Sequence, residues 1–375
     1  MEVRILYLVG QLGPGGAERQ LYYLIKGMDR EAFKPAVCVW RGTEEEVYVP
    51  RLKALGVPVL TLPRNGSRFR KLLAFREMVR ALRPEVVHSY SFYTNFVVHF
   101  ATLGSSAAAV GSVRSDFLRD RKKGGVLRGC LNARWPRHQI FNSYNAREHA
   151  ERSRGPFVPA HCYVVRNGID LDVFSPRSVP DERGLPILGI GSLAPVKRWD
   201  RLVKATALLK QRGFDCAVEI IGEGRLQTEL EALALRLGVQ EQIHFAGYRA
   251  DVPAQLQRAL FLVHPSDTEG CPNVVMEAMA CGRAVVATRV GETKYLVEHE
   301  RSGLLVDRDD VDALADGMET LGKQPALRRQ MGIRGRIKAE EEFSLARMVE
   351  QTHSVYRAAG WQGLGVPAVP HRGRA

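Results

Sequence analysis

The chain has 375 residues, 45% of them hydrophobic, with a formal net charge of +13. That length suits two domains, and no run of ~18 apolar residues offers a membrane span. The six cysteines form no Cys-x-x-Cys pair and show no zinc-like spacing with histidine, which excludes an obvious metal centre and fits buried thiols in a reduced cytosol. The first residues read as a short strand followed by a glycine loop rather than a signal peptide, so a cytoplasmic protein is expected.

Short apolar strands alternate with amphipathic helices. In the first half the expected order is strand Val3–Val9, helix Ala17–Gly27, strands Ala36–Trp40 and Val57–Leu62, and helix Arg70–Leu82. Strands follow at Val86–His88, Ala108–Val113 and His138–Asn142. This rhythm predicts a parallel, doubly wound sheet over residues 1–175. The polar stretch Ser175–Gly184 reads as a linker, placed at 176–184.

A second alternation fills 185–344. It runs strand Ile187–Gly191, helix Arg198–Arg212, strand Ala217–Ile221, helix Leu226–Leu237, strand Ile243–Ala246, helix Val252–Arg258 and strand Leu260–His264. A helix starting near Pro272, strand Ala284–Thr288, strand Gly303–Val306 and helices Val311–Leu321 and Pro325–Glu342 complete it. The helix within 345–360 is expected to cross back onto the first domain. Residues 361–375 lack periodicity and are expected to lie loose.

Charge separates the halves. Residues 1–180 hold 28 Lys+Arg against 15 Asp+Glu, the entire excess. Arg64, Arg68, Arg70, Lys71, Arg76, Arg80 and Arg83 form one cluster; Arg114, Arg119, Arg121, Lys122, Lys123 and Arg128 form another. Interleaved with Phe69, Phe117, Leu118, Val126 and Leu127, they fit an anionic membrane surface, at ~1 kcal/mol per basic side chain. Nucleic acid is the competing anion, but no base-reading motif accompanies the charge, and none is expected as a partner.

Two glutamates, Glu269 and Glu277, bracket Gly270, Cys271, Pro272 and Asn273. A helix beginning near Pro272 puts Glu277 in its second turn and Glu269 in the loop before it. The free amides of such a helix start face an anion, while carboxylates accept sugar hydroxyls; together they suggest a sugar nucleotide. Upstream, Gly13-Pro-Gly-Gly16 lets backbone approach a ligand closely. It lacks the Gly-x-Gly-x-x-Gly spacing of a nicotinamide enzyme.

The segment Phe261–Thr288 resembles the donor-binding core of the retaining glycosyltransferase family 4, and the resemblance covers nearly the whole chain. The motifs in order are Gly13-Pro-Gly-Gly-Ala-Glu-Arg-Gln20, Pro84-Glu-Val-Val-His-Ser-Tyr90, Phe141-Asn-Ser143 and Val165-Arg-Asn-Gly-Ile-Asp170. Gly191-Ser-Leu-Ala-Pro-Val-Lys197, Ile221-Gly-Glu-Gly224 and Phe245-Ala-Gly247 follow.

The resemblance implies an α/β, GT-B fold, in which two Rossmann-like domains face each other across a cleft. It also implies retaining transfer of a sugar from a nucleoside diphosphate to a hydroxyl acceptor, a glycan or lipid-linked saccharide, with no metal or further cofactor. Lys197, Glu269 and His88 take catalytic places. Gly15, Gly16, Ser192, Arg198, Glu223, Gly270, Cys271, Pro272, Asn273 and Glu277 take donor places, and Tyr90 and Arg114 lie toward the acceptor.

Two positions depart from the pattern. Ser192 stands where the family carries an arginine of the phosphate clamp, with Arg198 or Arg225 as substitutes. Tyr90 stands where it carries a second histidine. These departures keep open a binder without turnover, beside an epimerase or hydrolase on the same fold.

Overall fold

The computed structural model describes residues 2–42, 45–63, 67–115, 117–153, 157–177 and 184–363. Arg64, residues 178–183 of the expected linker and residues 364–375 of the expected tail lie outside them. The chain forms two compact units, Met1–Gly168 with Leu345–Ala375, and Ile169–Ser344.

The first unit is built on β1 (Ile5–Val9), β2 (Pro35–Val39), β3 (Val59–Thr61), β4 (Val86–Ser89), β5 (Ala108–Val113), β6 (His138–Phe141) and β7 (His161–Val164). All pairings are parallel, in the order β3-β2-β1-β4-β5-β6-β7. β1 reads Ile-Leu-Tyr-Leu-Val with every residue buried, because helices cover both faces of such a sheet and leave no need for alternation. The helix Gly16–Gly27 buries Leu21, Tyr23, Leu24 and Ile25 at helical spacing.

The C-terminal helix Leu345–Ala358 belongs to this unit through both apolar and polar packing. Its Met348, Val349, Val355 and Tyr356 join the core containing Tyr7 and Val86. Tyr356 Oη donates to Tyr7 Oη at 3.1 Å and lies 2.8 Å from His88 Nδ1, while His88 Nε2 lies 2.8 Å from Ser112 Oγ. This chain of hydrogen bonds ties β1, β4 and β5 to the helix. Trp361, expected to begin the loose tail, is instead buried, with its indole N–H donating to Glu85 at 2.6 Å. An indole that covers core surface and finds a carboxylate has good reason to stay put.

The second unit is built on β8 (Ile187–Ile190), β9 (Val218–Ile221), β10 (Ile243–Gly247), β11 (Leu262–His264), β12 (Val285–Thr288) and β13 (Gly303–Val306). Their order is β10-β9-β8-β11-β12-β13, again parallel. Trp199, Leu202 and Val203 pack against Phe261 and Val263 on one side. Val275, Met276 and Met279 pack against Leu262 and Val285 on the other.

Several elements of the first unit escape a reading by periodicity. The helices Tyr48–Ala54, Asn95–Thr102, Phe117–Lys123, Val126–Arg134 and Tyr144–Arg152, and strand β7, are additions. Asn95–Thr102 is rich in aromatic and β-branched residues that suit a strand. Tertiary hydrogen bonds hold it in place, with Asn95 Oδ1 accepting from the Ser112 N–H at 2.9 Å. Each sheet changes winding direction once, between β1 and β4 and between β8 and β11, and ligands of such sheets bind at the strand ends there.

Candidate functional site

At the carboxyl end of β8 the chain turns through Gly191–Ala194 into a short 3-10 turn, Pro195–Lys197. The loop after β9 closes against it so tightly that a Cβ on Gly222, at φ +145°, would meet the Gly191 carbonyl oxygen at 2.0 Å. Only glycine fits there. The same holds for Gly291, at φ +51°, whose Cβ would lie 2.0 Å from the Glu269 carbonyl oxygen. These contacts hold the loop that carries Lys197 and brace the one that carries Glu269.

The side chains converge on one oxygen. Lys197 Nζ donates to Glu269 Oε1 at 2.7 Å, and His264 Nε2 lies 2.8 Å from the same atom. Ser266 Oγ lies 3.2 Å from that ring nitrogen, and His264 Nδ1 is buried without a partner. Burial pushes the Glu269 carboxyl up, but His264 and Lys197 together overcome it and hold the group well below the usual carboxylate range. Glu269 is therefore a fixed negative charge at neutral pH, flanked by groups that offset it.

Directly behind this cluster starts the helix Asn273–Ala280, with Pro272 at its N-cap and no side chain capping it. Its leading amides are open to an acceptor atom. Glu277 sits in the second turn, 3% exposed, as the sequence placed it. Gly270 and Cys271 form the approach to the helix, and Glu223 is exposed after β9, where its carboxylate accepts from the Tyr248 N–H at 3.4 Å.

Ser192 is exposed and its carbonyl accepts the Trp199 indole N–H at 3.0 Å. Arg198 does not reach the cluster as a spare clamp: it pairs with Asp200, Asp267 and Asp309 at 2.9–3.2 Å. Its neighbour Arg201, buried, pairs with the last two of these carboxylates. His264 is a functional candidate that the motif reading missed. The available signal was its position at the end of β11, five residues before Glu269.

In the first unit, a cavity of about 910 Å³ opens at the carboxyl ends of β1, β4 and β5. Gly15 caps the helix Gly16–Gly27 there, and a Cβ on Gly15 would fall 2.0 Å from Glu18 Oε2, so the carboxylate folds over bare backbone. Burial raises the Glu18 carboxyl above its ordinary value, opposed by its own backbone N–H and reinforced by Glu46. Tyr90 and Arg114 both line this cavity.

His88 does not. It is fully buried, both ring nitrogens are engaged by Tyr356 and Ser112, and burial, reinforced by Arg114, holds its imidazole well below the ordinary range. A strand-end histidine was expected to point toward ligand; here it faces the C-terminal helix and serves the core. Among the described residues no group of three or more His, Cys, Asp or Glu is arranged to hold a metal.

Comparison with known proteins agrees with this geometry. The family described as Glycosyltransferase Family 4 matches residues 14–173, and Glycosyl transferases group 1 matches residues 174–338. The alpha-maltose-1-phosphate synthase of Mycolicibacterium smegmatis is 30% identical over 303 residues, covering 72% of this chain and 78% of that one. An uncharacterized glycosyltransferase of Haemophilus influenzae is 31% identical over 179 residues, and this chain spans about half of it, 48% of each. The Anabaena protein Alr3699/HepE, solved with UDP, superposes with a TM-score of 0.81 at 20% identity, covering 95% of this chain and 100% of that one. The two doubly wound units are those of the GT-B fold.

Proposed function

Because this chain belongs to glycosyltransferase family 4, we propose that it transfers a sugar, with retention of configuration, from a nucleoside-diphosphate sugar to a hydroxyl acceptor. The second unit takes the donor. The observation that carries this reading is the meeting of Lys197, His264 and Glu269 in front of an uncapped helix start whose second turn buries Glu277.

Each group then has a task. Glu277 accepts the ribose hydroxyls. The amides of Gly270, Cys271 and Asn273, with Lys197, take the diphosphate, and Pro272 contributes no N–H. Glu269 stays ionised beside the sugar and stabilises the positive charge that develops on its ring. The bond from the anomeric carbon to the diphosphate oxygen breaks, and a bond to the acceptor oxygen forms on the same face. The acceptor proton passes to the departing diphosphate. Lys197 serves as a mobile point charge for that leaving group.

The first unit's cavity takes the acceptor, and the same unit faces an anionic membrane. Phe69, Val126 and Leu127 are 64%, 89% and 72% exposed among the basic residues of the helices Arg68–Leu82, Phe117–Lys123 and Val126–Arg134. No helix among the described residues is long and apolar enough to cross a bilayer. This placement supports a role in polysaccharide or lipid-linked glycan assembly. Flotation with phosphatidylglycerol vesicles tests the membrane part: binding at low salt that fades as salt rises is expected, and no binding at low salt contradicts it.

Transfer itself is tested by screening UDP-, GDP- and ADP-sugars for release of the nucleoside diphosphate in the presence of a lipid acceptor extract. One donor should be consumed, and Glu277→Ala should abolish its use. A donor that binds and is never released as diphosphate would instead favour a non-catalytic binder.

A further inference from the structure

The cavity of the first unit holds a cation with nothing to balance it. The Arg114 guanidinium lies 4.0 Å from the centre of the Tyr90 ring. Its Nε and Nη1 are buried and without hydrogen-bond partners. Tyr90 is 1% exposed, and its hydroxyl is also buried and unpartnered. Both residues line the same 910 Å³ space. Unmet N–H and O–H groups in a dry pocket are costly, and a stacked ring offsets only part of that cost.

No carboxylate of the cavity fills the gap. Among the lining acids, Asp120 is engaged by Tyr93 Oη at 3.2 Å and by Ser115 Oγ. Glu18 is pushed toward its neutral form and folds over Gly15. Around the rim stand further cations, Arg41, Arg68, Lys123 and Arg128, all exposed. The lining between them includes Trp40, Phe69, Leu72, Phe96 and Leu131.

We propose that Arg114 and Tyr90 form an anion subsite, and that the acceptor of this enzyme carries a phosphate or diphosphate group seated there. The inference rests on the reading of the first unit as the acceptor side. Arg114 offers two N–H groups to one phosphate in the planar geometry that guanidinium provides. The Tyr90 hydroxyl adds a donor beside them, and the rim cations draw the anion in. The phosphate can belong to a soluble phosphorylated compound or to a lipid whose chain lies along the apolar lining.

Calorimetric titration of the full-length chain with inorganic phosphate, decyl phosphate and decyl glucoside tests the subsite. The phosphate probes should bind, and decyl glucoside should bind at least ~tenfold more weakly than decyl phosphate, the factor expected from one charge-assisted pair. Arg114→Gln should remove that preference, whereas Lys197→Ala should leave it intact, because Lys197 lies in the other unit. Tyr90→Phe keeps the ring under the guanidinium; it should weaken phosphate binding several-fold without lowering the melting temperature. This second variant reports on the site even if Arg114→Gln fails to fold.

Equal affinity for the two phosphate probes identifies a soluble phosphorylated acceptor, and a large gain from the decyl chain identifies a lipid-borne one. Binding that survives both substitutions, that is lost with Lys197→Ala instead, or that does not favour phosphate over glucoside overturns the proposal. Nucleotide binding, read separately through Glu277→Ala, judges the donor assignment independently.

Discussion

The two units share one topology and treat charge in opposite ways. Both sheets reverse winding beside their first strand, β1 in one and β8 in the other, and both use the strand ends at that place. In the second unit a buried carboxylate, Glu269, is met by Lys197 and His264. In the first, a guanidinium with buried nitrogens, Arg114, meets only an aromatic ring. A doubly wound sheet supplies the location, and a few strand-end side chains decide which ligand charge suits it. The balanced cluster suits a leaving group whose charge appears only as a bond breaks; the unbalanced one suits a ligand that arrives charged.

The sharpest way to break this comparison is to remove the cation of the balanced site. Lys197→Ala is expected to lower turnover by about 10²- to 10³-fold, the usual effect of losing one preorganised charge-stabilising group. Donor affinity should fall much less. Diphosphate release under single-turnover conditions separates the two effects. Equal losses in affinity and turnover would mean that Lys197 binds the ground state and transition state alike.

Two further substitutions act on one unit each. Gly291→Ala places a methyl group against the Glu269 carbonyl at a left-handed φ of +51°, which should destabilise the second unit by about 3 kcal/mol. Tyr356→Phe leaves His88 Nδ1 without its partner and should destabilise the first unit by about 2 kcal/mol. Urea unfolding followed by hydrogen exchange assigns each loss to its unit.

The smallest expected effect is in pH. His88 stays neutral in the folded state because its pKa is depressed by burial and Arg114, while the unfolded chain takes up a proton below the ordinary histidine value of 6.5. Its contribution is thus present above that pH and is lost as pH falls through it, by up to about 1.4 kcal/mol per unit. Glu269 is also depressed, but its contribution holds until pH drops below the ordinary carboxylate value of 4.5. Melting curves of His88→Asn and Glu269→Gln against pH should therefore diverge from the native protein in different windows.

Much of the second unit was legible in the sequence. Glu277 in the second turn of its helix, the Lys197 turn and the closely packed glycine loop after β9 all follow from local spacing and backbone rules. His88 was misjudged because strand-end position says which end of the sheet a residue occupies, but not whether a later helix covers it. That cover comes from Tyr356, 268 residues along the chain. Arg198 looked available because its carboxylate partners Asp267 and Asp309 are distant in sequence. The helices of the basic region were missed because their charged residues dilute the apolar period, and Arg114 was placed on the acceptor side without its stacking on Tyr90 being readable.

The measurement that tests the central claim most directly is calorimetric titration of UDP-, GDP- and ADP-glucose into the native chain and Glu277→Ala. One nucleotide sugar should bind the native protein, and the variant should bind it at least ~tenfold more weakly, as expected when charged hydrogen bonds to the ribose are lost. Its affinity for decyl phosphate should stay unchanged. Equal nucleotide binding by the two proteins, or no binding to either, would contradict the donor site in the second unit.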